Sequence, residues 1–181
     1  MLNKLFMYFF CWRFIFHYLC YLKHKKIIDA DLKNAHGEKN LLYQLTYKKD
    51  FRQLFYNRCN RIEGNLLKML IPGYKDLVID RKMKLGPGCH LVHAHTTHLH
   101  AKQIGKNFTC LHLVTIGSNG PTGKIPTIGD NVTVYVGAVI IGDIKIGNNV
   151  EVAANAVVTK DVPDNCVVGG VPAKIIKYKN I

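Results

Sequence analysis

Six of the nine histidines fall between residues 90 and 112: His90, His93, His95, His98, His100 and His112. A neutral imidazole, with an ordinary pKa of about 6.5, can take a proton from a hydroxyl as that oxygen attacks an electrophile, or it can ligate a metal. The spacing leaves both open, because His93/His98 and His95/His100 are equally separated, as paired zinc ligands can be. The six cysteines, Cys11, Cys20, Cys59, Cys89, Cys110 and Cys166, contain no CxxC pair. They read as buried free thiols of a reducing compartment, so a cytoplasmic protein is expected.

The elements that position these side chains follow from a repeat. From Ile128 onward the chain divides into hexads without insertion: IGDNVT, VYVGAV, IIGDIK, IGNNVE, VAANAV and VTKDVP. Position one is Ile128, Val134, Ile140, Ile146, Val152 and Val158; position five is Val132, Ala138, Ile144, Val150, Ala156 and Val162. A period of six suits neither a 3.6-residue helix nor a simple alternating strand. It does suit short strands joined by regular corners, three hexads closing one triangular coil. Position one then fills the interior, position five lies nearer the corner, and Gly and Asn between them supply the corner angles. Ile116, Cys110 and Ile104 keep this phase, whereas Leu91, Leu85 and Ile79 are one residue out of it. That predicts a single extra residue between Thr97 and Ile104. Counted from Leu91, His93 takes position three at an outward corner, while His95 takes position five and points inward as a structural residue. Stacking by one coil plus the slip puts His112 over His93.

Residues 1–75 read differently, as a helical segment ahead of a β-helix domain over residues 76–181 whose end caps the coil. Leu5 to Leu22 is apolar, but Arg13 in its middle argues against a membrane span, and no cleavage site follows. An interfacial helix on an anionic membrane, using residues 1–26, and a helix packed on the rest of the chain both remain open. A polar loop at His36 to Lys39 precedes Asn40, a candidate N-cap, and a helix is expected over about 40–58, then a short helical run at Leu66 to Leu70 ended by Pro72-Gly73.

The formal net charge is +13, concentrated in residues 1–84 with 17 basic against 7 acidic side chains. Without RNP-like, zinc-finger or helix-turn-helix patterns, no nucleic-acid partner is expected. With 48% apolar residues the chain is not disordered.

The segment from about residue 78 to 181 resembles the hexapeptide-repeat acyltransferases, and within them the serine acetyltransferase-like branch. The residues that carry this are GCHLVHAHTT, LVTIG with the following loop and KIPTIGDN, the hexads, VVTKDVPDN and VVGGVPAKII. The helical lead-in FRQLFYNR is similar to bacterial polysaccharide O-acetyltransferases. The resemblance implies a mainly β fold, a left-handed parallel β-helix, and acetyl transfer from acetyl-CoA to a hydroxyl without a covalent cysteine intermediate. His93 matches the family's catalytic base, and His112 is a candidate for the acceptor pocket.

It further implies a donor slot between subunits of a homotrimer. Gly137, Ala138, Ala154 and Ala156 would lie along the pantetheine arm, Lys160 and Lys174 near the phosphates, Gly170 and Pro172 at the adenine end. No metal is expected; a zinc site like that of the γ-class carbonic anhydrases lacks its surrounding residues here. Two departures bear on the acceptor. Where serine acetyltransferases commonly have an Asp before the catalytic His, this chain has Val92, and their second active-site His aligns with Ile125. No carboxylate near His93 is evident in the sequence. A saccharide hydroxyl is therefore the expected acceptor, with serine as the alternative and a non-catalytic trimeric scaffold at a membrane surface as a second alternative.

Overall fold

The computed structural model describes residues 2–35, 39–121 and 123–179, with side chains from Phe14 onward. The loop at His36 thus lies outside the described residues. Four helices come first among them: α1 (Leu2–Asn34), α2 (Leu41–Tyr47), α3 (Lys49–Arg58) and α4 (Arg61–Leu70). The expected single helix over 40–58 is two, because Lys48 is extended (φ −106°, ψ 100°). Asn40 caps α2 as expected, its side chain accepting from the N–H groups of Leu42 and Tyr43. Asn60 and Glu63 form a reciprocal capping box that opens α4 earlier than the apolar run suggested.

From Leu77 the chain winds into a parallel β-solenoid of about five turns. The first sheet stacks strands at Leu77–Ile79, Thr97–Leu99, Thr115–Gly117, Val139–Ile141 and Val157–Val158. The second holds Lys84–Leu85, Gln103–Ile104, Thr127–Ile128 and Lys145–Ile146; the third begins with His90–Leu91, Thr109–Cys110, Thr133–Val134, Glu151–Val152 and Cys166–Gly169. All twelve hexad positions one and five are buried, so the sequence period is the period of the interior. One corner column is kept narrow by glycine: a β-carbon on Gly129 would meet the Gly147 carbonyl oxygen at 2.7 Å. The hairpin from Cys166–Gly169 into Lys174–Tyr178 is antiparallel, so it covers the end of the third sheet and ends the parallel stacking.

The helices form a second apolar cluster around Ile28, Leu45, Phe55 and Tyr56. α1 packs there through His17, whose ring nitrogen lies 3.1 Å from the Tyr56 hydroxyl, while Ile15, Phe16, Tyr18, Leu19 and Leu22 stay exposed. Among the described residues no helix is long and apolar enough to cross a membrane. A buried ion pair joins helices to solenoid: Arg58 holds Asp31 at 2.8 and 2.9 Å and donates to the carbonyls of Leu85 and Gly86. The expectation of free thiols fails for one pair, since Cys20 and Cys59 are joined as a disulfide; Cys89, Cys110 and Cys166 are free and buried. The side chain of Cys11 lies outside the described residues.

Candidate active site

His93 stands on the corner after strand His90–Leu91, and its φ is +48°; Thr96, on the same corner, has φ +50°. For residues with a β-carbon this left-handed region costs roughly 1–2 kcal/mol each, so the corner needs external support. Two carboxylates supply it. Asp50, in the first turn of α3 and only 8% exposed, accepts the His93 N–H at 3.0 Å and the Phe51 N–H at 2.9 Å, one on each oxygen. Asp76 accepts both the N–H and the hydroxyl of Thr96, at 2.8 and 2.9 Å. The Thr96 hydroxyl bond holds the Asp76 carboxyl below the usual range. The helical segment thus sets the conformation of the corner on which the imidazole is mounted.

This corner is also where the coil phase slips. Leu91 to Leu99 spans eight residues where Cys110 to Ile116 spans six, and the step from Leu99 to Ile104 spans five. The sequence places one extra residue after Thr97; the structure inserts two before Leu99 and drops one after it. The displaced register changes His95. Ala94 takes the interior place at 0% exposure, and His95 is half-buried on the outside, not turned inward. Its ring stacks on His112 with centroids 4.9 Å apart and 25° between planes, and meets Tyr74 edge-on at 6.3 Å. The Lys49 ammonium sits 5.8 Å from the Tyr74 ring centroid. His112 thus packs on His95, two residues beyond His93 in the chain.

A cavity of about 110 Å³ opens where α2 and α3 meet this corner, lined by Gln44, Lys48, Asp50, His90, Val92 and His93 among others. An acid, a lysine and a histidine are thus among the residues that line one small space. Sequence reasoning missed Asp50 and Lys48. The available signal was slight, an acidic residue in the first turn of a helix, and nothing in linear spacing ties it to His93. Cys89 also lines the cavity, but burial pushes its thiol up to about 12, with the Asp31 carboxylate adding to the effect. It stays protonated near neutral pH and is not a nucleophile. Among the other histidines, His100 is committed elsewhere, its Nδ1 lying 2.6 Å from Asp80, which accordingly does not reach His93.

The third sheet pairs Leu91, Cys110, Val134, Val152 and Val168 in register, so the residues two further on share one edge: His93, His112, Val136, Ala154 and Gly170. Gly137 (φ +69°) adjoins Val136, and Ala154 and Gly170 are exposed there. Pro172, after a cis bond, and Lys174 are exposed on the segment that follows Gly170. Two expected slot residues do not fit as side chains: Ala138 and Ala156 are at 0% exposure, because position five points into the coil. Lys160 is exposed on a different edge, between Val158 of the first sheet and Val162 beside Ile146 of the second. A single chain does not bring it to the His93 edge.

Residues 125–160 match the bacterial transferase hexapeptide family, six repeats. The chain is 45% identical over 76 residues to a serine acetyltransferase of Mycobacterium tuberculosis, covering 41% of this chain and 33% of that relative, so it spans about a third of that protein's length. Among solved structures, a serine acetyltransferase of Neisseria gonorrhoeae superposes with a TM-score of 0.77 at 29% identity, over 93% of this chain and 72% of that one. The serine acetyltransferase of Brucella abortus strain S19 in complex with coenzyme A gives 0.70 at 26% identity, over 86% and 68%. Fold, repeat and relatives point the same way: the chain carries bacterial transferase hexapeptide repeats and is similar to the serine acetyltransferases.

Proposed function

We propose that the chain is an acetyl-CoA-dependent O-acetyltransferase whose acceptor is the hydroxyl of serine. The observation that carries this reading is His93 on a braced corner, lining a small cavity together with Asp50 and Lys48. An amino acid needs an anion for its ammonium and a cation for its carboxylate, and those two side chains supply them. The volume also favours a compact acceptor, since pockets for larger ligands run to about 300–1,000 Å³. The saccharide expected from the sequence loses ground on these counts, and the relatives with a named substrate are serine acetyltransferases.

In the reaction the His93 imidazole takes the hydroxyl proton as the oxygen attacks the thioester carbonyl carbon. The C–S bond breaks, and the coenzyme A sulfur leaves with the proton returned by the imidazolium. No acyl-enzyme forms, in keeping with the raised Cys89 thiol. Gly137, Ala154, Gly170, Pro172 and Lys174 line the donor slot along the His93 edge. In this reading the protein is a homotrimer with its sites between subunits, and Lys160 joins the slot from a neighbouring copy. A saccharide acceptor stays as the second reading, because Val92 and Ile125 stand where the resemblance calls for Asp and His.

The test is thiol release from acetyl-CoA against a panel of L-serine, other hydroxy amino acids and sugars, with mass spectrometry of the acceptor. A gain of about 42 Da on L-serine, the exchange of a hydrogen for an acetyl group, supports the reading. Acetylation of sugars with serine untouched would replace it by the second.

A further inference from the structure

On the far side of the helical segment lies a cluster that acyl transfer does not use. Cys20 and His24 are one turn apart on α1; Cys59 caps the end of α3, and Glu63 is the third residue of α4. Both sulfurs are buried, at 6% and 3% exposure for their residues, and in this structure they are joined. The Glu63 carboxylate lies 3.8 Å from the Cys20 sulfur and 3.4 Å from His24 Nε2. We propose that, with the two cysteines reduced, Cys20, His24, Cys59 and Glu63 form a structural site for a soft divalent cation of the zinc type, tying α1 to the α3–α4 junction.

Three observations support it. The donor set, two sulfurs with an imidazole and a carboxylate, is one that zinc takes in tetrahedral sites. Bonds of about 2.3 Å to sulfur and about 2.0 Å to nitrogen or oxygen put neighbouring tetrahedral donors roughly 3.3–3.8 Å apart, which the Glu63 separations already match. Glu63 is also held from outside, as a metal-ligating carboxylate needs to be: its oxygens accept the Asn60 N–H at 3.2 Å and the Lys23 ammonium at 2.5 Å. Charge closes as well. Two thiolates and a carboxylate around a divalent ion leave one negative charge, which Lys23 offsets. On binding, the two thiol protons go to solvent. Among the described residues Cys20, Cys59 and Glu63 are the one group of three or more such side chains whose donor atoms all lie within 4.8 Å of one another, and His24 adjoins it through Glu63.

The experiment uses the full chain, freed of metal with a chelator and kept in a phosphine reductant, titrated with Co²⁺ and then with Zn²⁺. Expected are thiolate-to-cobalt charge-transfer and tetrahedral d–d absorption saturating at one ion per chain, displaced by Zn²⁺. C20S and C59S should abolish the bands and C166S should leave them. His24→Ala, at a half-exposed position, should keep the helical circular dichroism and weaken binding by about tenfold or more, which keeps the test valid if the cysteine variants misfold. No thiolate band in the reduced chain, the same band in the C20S/C59S double variant, or sulfurs that stay joined under excess phosphine would each overturn the proposal.

Discussion

Asp50 is the residue on which the acetyl-transfer site is most exposed to test. Its carboxylate accepts the His93 N–H at 3.0 Å and the Phe51 N–H at 2.9 Å from a nearly enclosed position at the start of α3. Hydrogen bonds to a charged partner contribute about 1.5–3 kcal/mol each, comparable to the roughly 1–2 kcal/mol that the left-handed His93 backbone costs. Removing the carboxylate in Asp50→Ala releases the corner, and a base displaced by about 1 Å loses on the order of 10²-fold in rate. Asp50→Asn separates the two duties of the residue. It keeps an acceptor oxygen for the His93 N–H but removes the charge proposed to meet the acceptor ammonium. Steady-state kinetics with acetyl-CoA and L-serine should therefore show a large fall in kcat for the alanine variant. The asparagine variant should retain most of kcat and show a raised KM for serine alone. Wild-type kcat and KM in Asp50→Ala, with folding confirmed by circular dichroism, would refute both the bracing and the acceptor role.

Three further outcomes follow from the same geometry. Gly129→Ala places a β-carbon 2.7 Å from the Gly147 carbonyl oxygen and should destabilise the solenoid by about 1–3 kcal/mol in denaturant unfolding. Cys89, with its thiol pushed up to about 12, should resist thiol reagents in the native chain at pH 8 and react only on unfolding. The Lys179 hydrogen bond lowers the Glu151 carboxyl from its ordinary 4.5, so its stabilisation is present above that pH and disappears as pH falls through the lower folded value. Lys179→Ala should therefore cost up to about 1 kcal/mol at pH 7 and nothing once Glu151 is protonated, by thermal unfolding across pH.

The coil was legible because its interior is written every sixth residue, and burial at Ile128, Val134 and their successors follows that period without exception. The corner at residues 92–97 was not, because a corner takes extra residues with no change in the apolar pattern on either side. Counting in sixes then put His95 inside, when Ala94 fills that place. The same limit hid the acceptor side of the site. Asp50 reaches His93, and Lys48 the cavity beside it, through tertiary packing of the helices on the first coil, which no local spacing records. His93 is singled out by resemblance to the family's base, and the repeat adds only its place at an outward corner, two residues beyond an interior Leu. Ala138 and Ala156, which the resemblance puts along the slot, stand at position five, and their side chains are buried in the coil as the repeat requires.

The central claim is that the His93 imidazole takes the proton from the acceptor hydroxyl. Its most direct test is the rate of coenzyme A release from acetyl-CoA with saturating L-serine for His93→Ala beside the unsubstituted chain. A fall in kcat of about 10²–10⁴-fold, with coenzyme A binding unchanged, is the predicted result; turnover equal to that of the unsubstituted chain would contradict it.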